Sequence, residues 1–183
     1  MRAFILGLVL VAAGVVGASA WFHVSKQPEA GAAALPEWMD PYEADLSLAD
    51  LRLEDKDGQA LKLDEGKVYL VNFWARWCGP CIAEMPSLAD LANALDDQGV
   101  EVIAVSVMDG KPEAVEAYLE RQPKWQGIDF AYPFAPDITA QLGARGLPAT
   151  VIFDKTGKGV AQHFAPADWA AEEVTDYLAA LAR

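Results

Sequence analysis

The densest chemistry in the sequence is Trp77-Cys78-Gly79-Pro80-Cys81. It stands between an apolar run suited to a buried strand and a segment of helical periodicity, so Cys78 falls at a helix N-terminus. Unpaired N–H groups and the helix macrodipole favour negative charge there, and the thiolate is the reactive form of cysteine. A thiol of pKa about 8.5 is only ~3% ionised at pH 7, and lowering it to about 7 makes it half ionised. Cys81 follows one turn on, within reach to resolve a mixed disulfide by intramolecular attack. Pro80 fits the first helical turn, where its missing N–H costs nothing. Gly79 leaves room for the disulfide of another chain. The pattern reads as thiol–disulfide exchange, with Cys78 attacking and Cys81 resolving.

Three plainer readings compete. A disulfide staple closing so short a loop contributes only about 2 kcal/mol in the chain-entropy model. A structural metal site needs four nitrogen or sulfur ligands, and the chain has two cysteines and two histidines, His23 and His163. Chance spacing is the third. Redox chemistry is favoured over all three, with no metal and no bound cofactor beyond the cysteine pair. Trp77 reads as a surface residue flanking Cys78 and contacting a partner, Trp74 as core, and His163 as an ordinary surface or packed histidine.

The surrounding elements must position that turn. Lys67 to Trp74 is a strongly apolar strand, buried on both faces. Pro80 to about Asp97 reads as a helix with Ile82, Met85, Leu88, Leu91, Ala92 and Leu95 on one side. Pro86 is expected to kink it and Gly99 to end it. Val100 to Val107 is a second central strand, and Pro112 to Arg121 a helix opened by proline. Asp129 to Phe134 reads as an additional strand, with a short helix from Asp137 to Leu142. Thr150–Asp154 and Gly159–Phe164 flank Thr156-Gly157 as a hairpin, and Trp169 to Leu181 closes as a helix. Ahead of these, Leu51–Leu53 and Leu61–Leu63 alternate around Asp57-Gly58, the pattern of an opening β-hairpin. Strands alternating with helices make an α/β layered sheet, with an antiparallel pair near the end.

Composition bounds the rest. The 183 residues are 53% apolar and 22% charged, enough to build one cored domain plus an extension and too apolar for disorder throughout. Fourteen Lys+Arg against 27 Asp+Glu give a net charge of −13, a field that repels a phosphate backbone and argues against nucleic acid. Ala3 to Phe22 is a run without a charge, preceded by Arg2, and long enough to span a bilayer core of about 30 Å. Ala18-Ser19-Ala20 fits a signal-peptidase site, whereas Trp21 and Phe22 suit an interfacial belt on a retained span. Residues 1–22 are therefore a membrane anchor, with a cleaved signal as the alternative. Either places the rest of the chain outside the cytoplasm. Residues 23–45, with Gly31-Ala32-Ala33-Ala34 and three prolines, read as a flexible tether, and 46–183 as the folded domain.

Two segments carry a resemblance to a known family. Val71 to Cys81 (VNFWARWCGPC), followed by Glu84 and Pro86, resembles the active-site segment of the thioredoxin superfamily. More closely it is similar to the membrane-anchored extracytoplasmic branch of TlpA, ResA and the cytochrome c maturation thioredoxins. Gly146-Leu147-Pro148-Ala149-Thr150 resembles the second signature, whose proline is cis and faces the cysteines. Ala165-Pro166-Ala167-Asp168-Trp169 is similar to the TlpA group. The resemblance covers about Leu46 to Leu181. It implies a thioredoxin-like fold, a central mixed sheet flanked by helices, with an N-terminal β-hairpin and a central αβ insertion from Met108 to Pro136. It also implies that Leu147, ahead of cis Pro148, offers its main chain to a substrate strand.

The departures from the family pattern matter as well. Asn72 stands where cytosolic thioredoxin has a buried aspartate, and an amide cannot take up a proton at pH 7. Glu84 shares a helical face with Cys81 and is the substitute, a partly buried carboxyl whose raised pKa would assist Cys81. The alternative is an ordinary first-turn acid. Gly79-Pro80 is the interior dipeptide of reducing thioredoxins. The resemblance thus implies a monomeric protein-disulfide reductase in a bacterial periplasm, recharged by a transmembrane thiol donor of the DsbD or CcdA kind. Its clients would be metalloprotein assembly partners, either copper-site factors of cytochrome oxidase or apocytochrome c. A same-fold oxidase or isomerase is the alternative enzyme. A Sco-type copper chaperone would need CxxxC spacing, and a non-catalytic module would not need the cysteine pair.

Overall fold

The structure is a computed structural model that describes residues 34–183, Pro136 excepted. Its strands are β1 (Asp40–Pro41), β2 (Leu53–Glu54), β3 (Val68–Trp74), β4 (Val100–Ser106), β5 (Asp129–Pro133), β6 (Ala149–Phe153) and β7 (Gly159–His163). They form one mixed sheet in the order β1-β7-β6-β3-β4-β5-β2. The parallel pair β3–β4 lies at its centre, in register from Val68 opposite Val100 to Trp74 opposite Ser106. The helices are α1 (Gly79–Leu95), α2 (Pro112–Leu119), α3 (Ile138–Gln141) and α4 (Glu172–Ala182).

β3 shows no alternation because both of its faces are covered. Val68, Leu70 and Trp74 pack with Met85, Leu88, Leu91 and Leu95 of α1 and with Val174 and Leu178 of α4. Tyr69, Val71 and Phe73 face the other layer, with Leu48, Leu51, Ile138 and Leu142. Each such leucine contributes about 1.5–3 kcal/mol by leaving water. Truncating fully buried Leu91 to alanine would cost about 2–5 kcal/mol, because the cavity adds to the lost transfer term.

α1 starts where its sequence dictates. Cys78 is the N-cap in extended backbone, its Sγ accepts from the Cys81 N–H at 3.3 Å, and Pro80 occupies the first turn. Pro86 lies inside the helix, which nevertheless continues to Leu95. A 3₁₀ turn, Asp96–Gln98, follows and ends at Gly99, whose φ of 77° a side chain would resist.

Three expectations are corrected. Residues 34–45 are not free tether. Met39 is buried, Asp40–Pro41 pairs antiparallel with β7, and Trp38 lies against His163 and Trp169. Pro41 was read as a breaker, but it sits on an edge strand, where a missing N–H is tolerated. At Gly159 of β7 this strap of residues 34–45 passes so close that a Cβ would stand 2.1 Å from Tyr42 Cδ1. The opening hairpin is confined to its tip: Glu54 bridges Ala60 around the Asp57-Gly58 turn, the Leu61 N–H donates to the Leu53 carbonyl at 2.8 Å, and the other edge of β2 pairs with β5. The last helix begins at Glu172 rather than Trp169, since the residues before it are engaged by side chains of α1. Ala3–Phe22 lies outside the described residues, and among those described no helix is long and apolar enough to cross a membrane.

Candidate active site

Cys78 and Cys81 are joined by a disulfide, S–S 2.04 Å, with their Cα atoms 5.3 Å apart. The turn that presents them leaves the C-terminal end of β3, the usual position for sites in such sheets. The Cys78 N–H donates to the Ala75 carbonyl at 3.0 Å, and the Val107 N–H to the Trp74 carbonyl at 2.9 Å. Asp109 ties the turn to the segment after β4. Its Oδ2 accepts from the Arg76 N–H at 2.9 Å and from the Ser106 hydroxyl at 2.7 Å, and its Oδ1 lies 3.3 Å from Arg76 Nε.

Cys78 is 5% exposed and Cys81 fully buried. Trp77 stands 62% exposed beside them, and a Cβ at Gly79 would meet nothing within 4 Å. Leu147–Pro148 is a cis peptide bond. Phe73 pairs with Ala149, so Pro148 falls level with Trp74, at the same end of the sheet as the cysteines. Pro148 is buried, Leu147 half-buried, and Pro80 exposed.

Glu84 is buried and held by three donors. Asn72 Nδ2 donates to Oε1 at 2.8 Å, while the Trp169 indole N–H and the Ala167 backbone N–H donate to Oε2 at 3.0 and 3.1 Å. Burial pushes its pKa above the ordinary carboxylate value, while the hydrogen bonds from Trp169, Asn72 and Ala167 pull the other way. An ordinary first-turn acid would face solvent, so that reading of Glu84 fails on burial. Asn72 is also fully buried. Its Nδ2 reaches Thr150 Oγ1 at 2.9 Å, and its Oδ1 has no partner.

Sequence reasoning missed Trp169, Ala167 and Thr150 as parts of this cluster. Asn72 was noticed as a lost proton acceptor, not as a donor to Glu84. The Ala165–Trp169 segment stood out only as a family likeness, and nothing local links it to a glutamate 85 positions away. His163 is half-buried in an aromatic group with Trp38 and Trp169. Trp74 is core, edge-on to Trp125.

A vicinal cysteine pair capping the first helix after a central parallel strand, on a mixed sheet with a cis-proline signature, defines a thioredoxin-like thiol:disulfide oxidoreductase. Comparison with known proteins agrees. The Redoxin profile matches residues 43–181. The thiol-disulfide oxidoreductase ResA of Halalkalibacterium halodurans is 31% identical over 170 residues, 89% of this chain and 84% of that one. ResA of Geobacillus thermodenitrificans is 36% identical over 116 residues, and the match spans 60% of this chain and 62% of that relative. A DsbE-type thiol:disulfide interchange protein of Chlorobium tepidum superposes with a TM-score of 0.57 at 28% identity, over 81% of this chain and 99% of that one. The chain belongs to the redoxin family, as a TlpA/ResA-like member of the thioredoxin superfamily.

Proposed function

We propose that the chain is an extracytoplasmic protein-disulfide reductase in which Cys78 is the nucleophile, Cys81 the resolving thiol and Glu84 its proton acceptor. In the reduced protein the Cys78 thiolate attacks one sulfur of a client disulfide. A mixed disulfide forms and the client's other sulfur leaves as thiolate. Glu84 then takes the proton of Cys81, whose sulfur attacks Cys78. The Cys78–Cys81 bond forms, the second client sulfur is released, and the proton passes to it. Two electrons move from this chain to the client.

The observation that carries the reading is the buried, triply hydrogen-bonded Glu84 on the same helical face as the disulfide. A carboxyl whose pKa is raised by burial holds a proton more readily than an exposed one, which suits it to exchange a proton with a thiol. Exposed Trp77, the open space at Gly79 and Pro80, and the Leu147–Pro148 segment support a client strand docking beside the cysteines. The Gly79-Pro80 dipeptide favours the reducing direction. Residues 1–22 would anchor the monomeric domain to the periplasmic face of the inner membrane. There a transmembrane thiol donor of the DsbD or CcdA type would recharge it at high effective concentration. Assembly factors for the copper sites of cytochrome oxidase, or apocytochrome c, are the proposed clients.

The equilibrium reduction potential of the pair tests the direction. Tryptophan fluorescence in a dithiothreitol or glutathione buffer would read it, since Trp74 and Trp77 flank the site. A value near −270 mV, within roughly 40 mV, is expected; one near −120 to −180 mV would mean an oxidant or isomerase. A Cys81→Ser variant would then trap clients as mixed disulfides.

A further inference from the structure

We infer that Trp38, in the strap of residues 34–45 that leads into the sheet, is a positioning residue that holds Trp169 against the Glu84 carboxylate. This deepens the proposed role of Glu84 and rests on it for its catalytic meaning. Trp38 lies ahead of residues 43–181, the extent of the Redoxin match.

The contacts run in one line. The Trp38 ring packs edge-on against Trp169 at 5.6 Å and against His163 at 4.7 Å, and His163 lies 6.2 Å from Trp169. Edge-to-face pairs at these separations are favourable beyond the area that they bury. Trp169 has no exposure, and its indole N–H reaches Glu84 at 3.0 Å. Its backbone N–H is held by Ser87 Oγ at 3.1 Å, and the Ala167 N–H of the same segment reaches the same Glu84 oxygen. The ring and the segment that supply two of the three donors are therefore backed by the strap.

The strap is itself pinned. The Trp38 indole N–H donates to Glu173 of α4, Met39 is buried, and Asp40–Pro41 extends the sheet beside β7. Without the Trp38 ring, Trp169 would keep His163 as its ring partner, and water would gain access to the indole. Glu84 cannot hold Trp169 in place alone, because a single hydrogen bond to a charged group contributes only about 1.5–3 kcal/mol. The titratable groups around this unit are Cys81 on α1, His163 on β7, exposed Asp168 beside Ala167, Asp40 on the strap and Glu173 on α4. Burial lowers the His163 pKa, so its ring is neutral at pH 7 and adds no charge to the line.

The test uses the full chain in its oxidised form, where no thiol titrates. The indole ¹H–¹⁵N resonance of Trp169, identified by its loss in Trp169→Phe, reports the ionisation of Glu84 through their hydrogen bond. In Trp38→Ala its exchange with solvent is expected to quicken about tenfold or more. Its titration midpoint should rise by about one pH unit, because two donors that favour the charged carboxylate loosen while α1 and β3 still bury it. Trp38→Phe keeps a ring edge and should behave as the parent. Trp38→Leu carries the measurement should the alanine variant lose its fold. Unchanged exchange, an unmoved or lowered midpoint, or equal effects in the alanine and phenylalanine variants would overturn the assignment. None of these readouts requires Glu84 to act in catalysis. A normal resolution rate in Glu84→Gln would sink the proton-acceptor reading alone.

Discussion

Glu84→Gln separates the two effects that oppose one another at this carboxyl. Three donors favour the carboxylate and burial disfavours it, with burial the larger influence. A glutamine offers one acceptor oxygen and one donor nitrogen, the same pattern as a protonated carboxyl. Its oxygen can keep Trp169 and Ala167. Its nitrogen would face Asn72, whose amide can turn its unpartnered Oδ1 toward it. The variant should therefore match the protonated parent to within about 1 kcal/mol.

The pH dependence is where the two proteins part. The folded state raises the pKa of Glu84 above its ordinary value of 4.5. Between those two values the native protein holds a proton that the unfolded chain has released. The contribution of Glu84 to stability is thus fully present below 4.5 and is lost as pH rises through the folded pKa. Each unit of elevation removes about 1.4 kcal/mol. That is about 4 °C in Tm for a domain of this size. Urea unfolding of the oxidised protein, read by fluorescence from about pH 4 to about pH 8, gives the parent-minus-variant difference and cancels most other groups. The difference should fall with pH and then level off. A flat or rising difference would mean that the three donors match or outweigh burial, and would remove the physical basis for Glu84 as a proton acceptor.

Three further outcomes are expected. Gly159→Ala should destabilise the domain by about 1–3 kcal/mol, because its Cβ meets the Tyr42 ring at 2.1 Å, and adding Tyr42→Ala should recover part of the loss in thermal melts. Asp109→Ala should cost about 2–4 kcal/mol, since it strips partners from Arg76 and Ser106 under the Cys78 turn; a double-mutant cycle with Arg76→Ala measures how much is their pair. Trp77→Ala should leave Tm within about 1 °C, the residue being 62% exposed, yet slow exchange with protein disulfides more than with a small disulfide reagent. Equal slowing of both would show that Trp77 tunes the thiols rather than the docking.

Local rules made most of the architecture legible. The two central strands stood out because burial on both faces removes alternation, and α1 stood out by its apolar spacing and its proline at the first turn. The cysteine pair needed only the i, i+3 relation and a helix start. The strap was misread because its prolines and lack of periodicity read as linker, whereas what holds it is a buried methionine, together with a tryptophan and an edge strand whose partners lie more than a hundred positions away. The hairpin at 51–63 was overread for the converse reason. Its turn chemistry was right, and Leu53 and Asp55 bond across the turn, but the second arm pairs no further than Leu61, while the opposite edge of β2 takes β5.

What sequence alone determined was the reactive group and the element that activates it, since both lie within one helical turn and need no distant contact. It also settled the layered α/β class, because periodicity reports which faces must be buried. Only the tertiary structure decided the company that Glu84 keeps. A buried carboxyl must find donors wherever the packed chain brings them. Here they come from β3, twelve positions back, and from the Ala167–Trp169 segment, more than eighty positions on. Hydrogen bonds of that range leave no periodic trace in a sequence, because each depends on the whole sheet being assembled first.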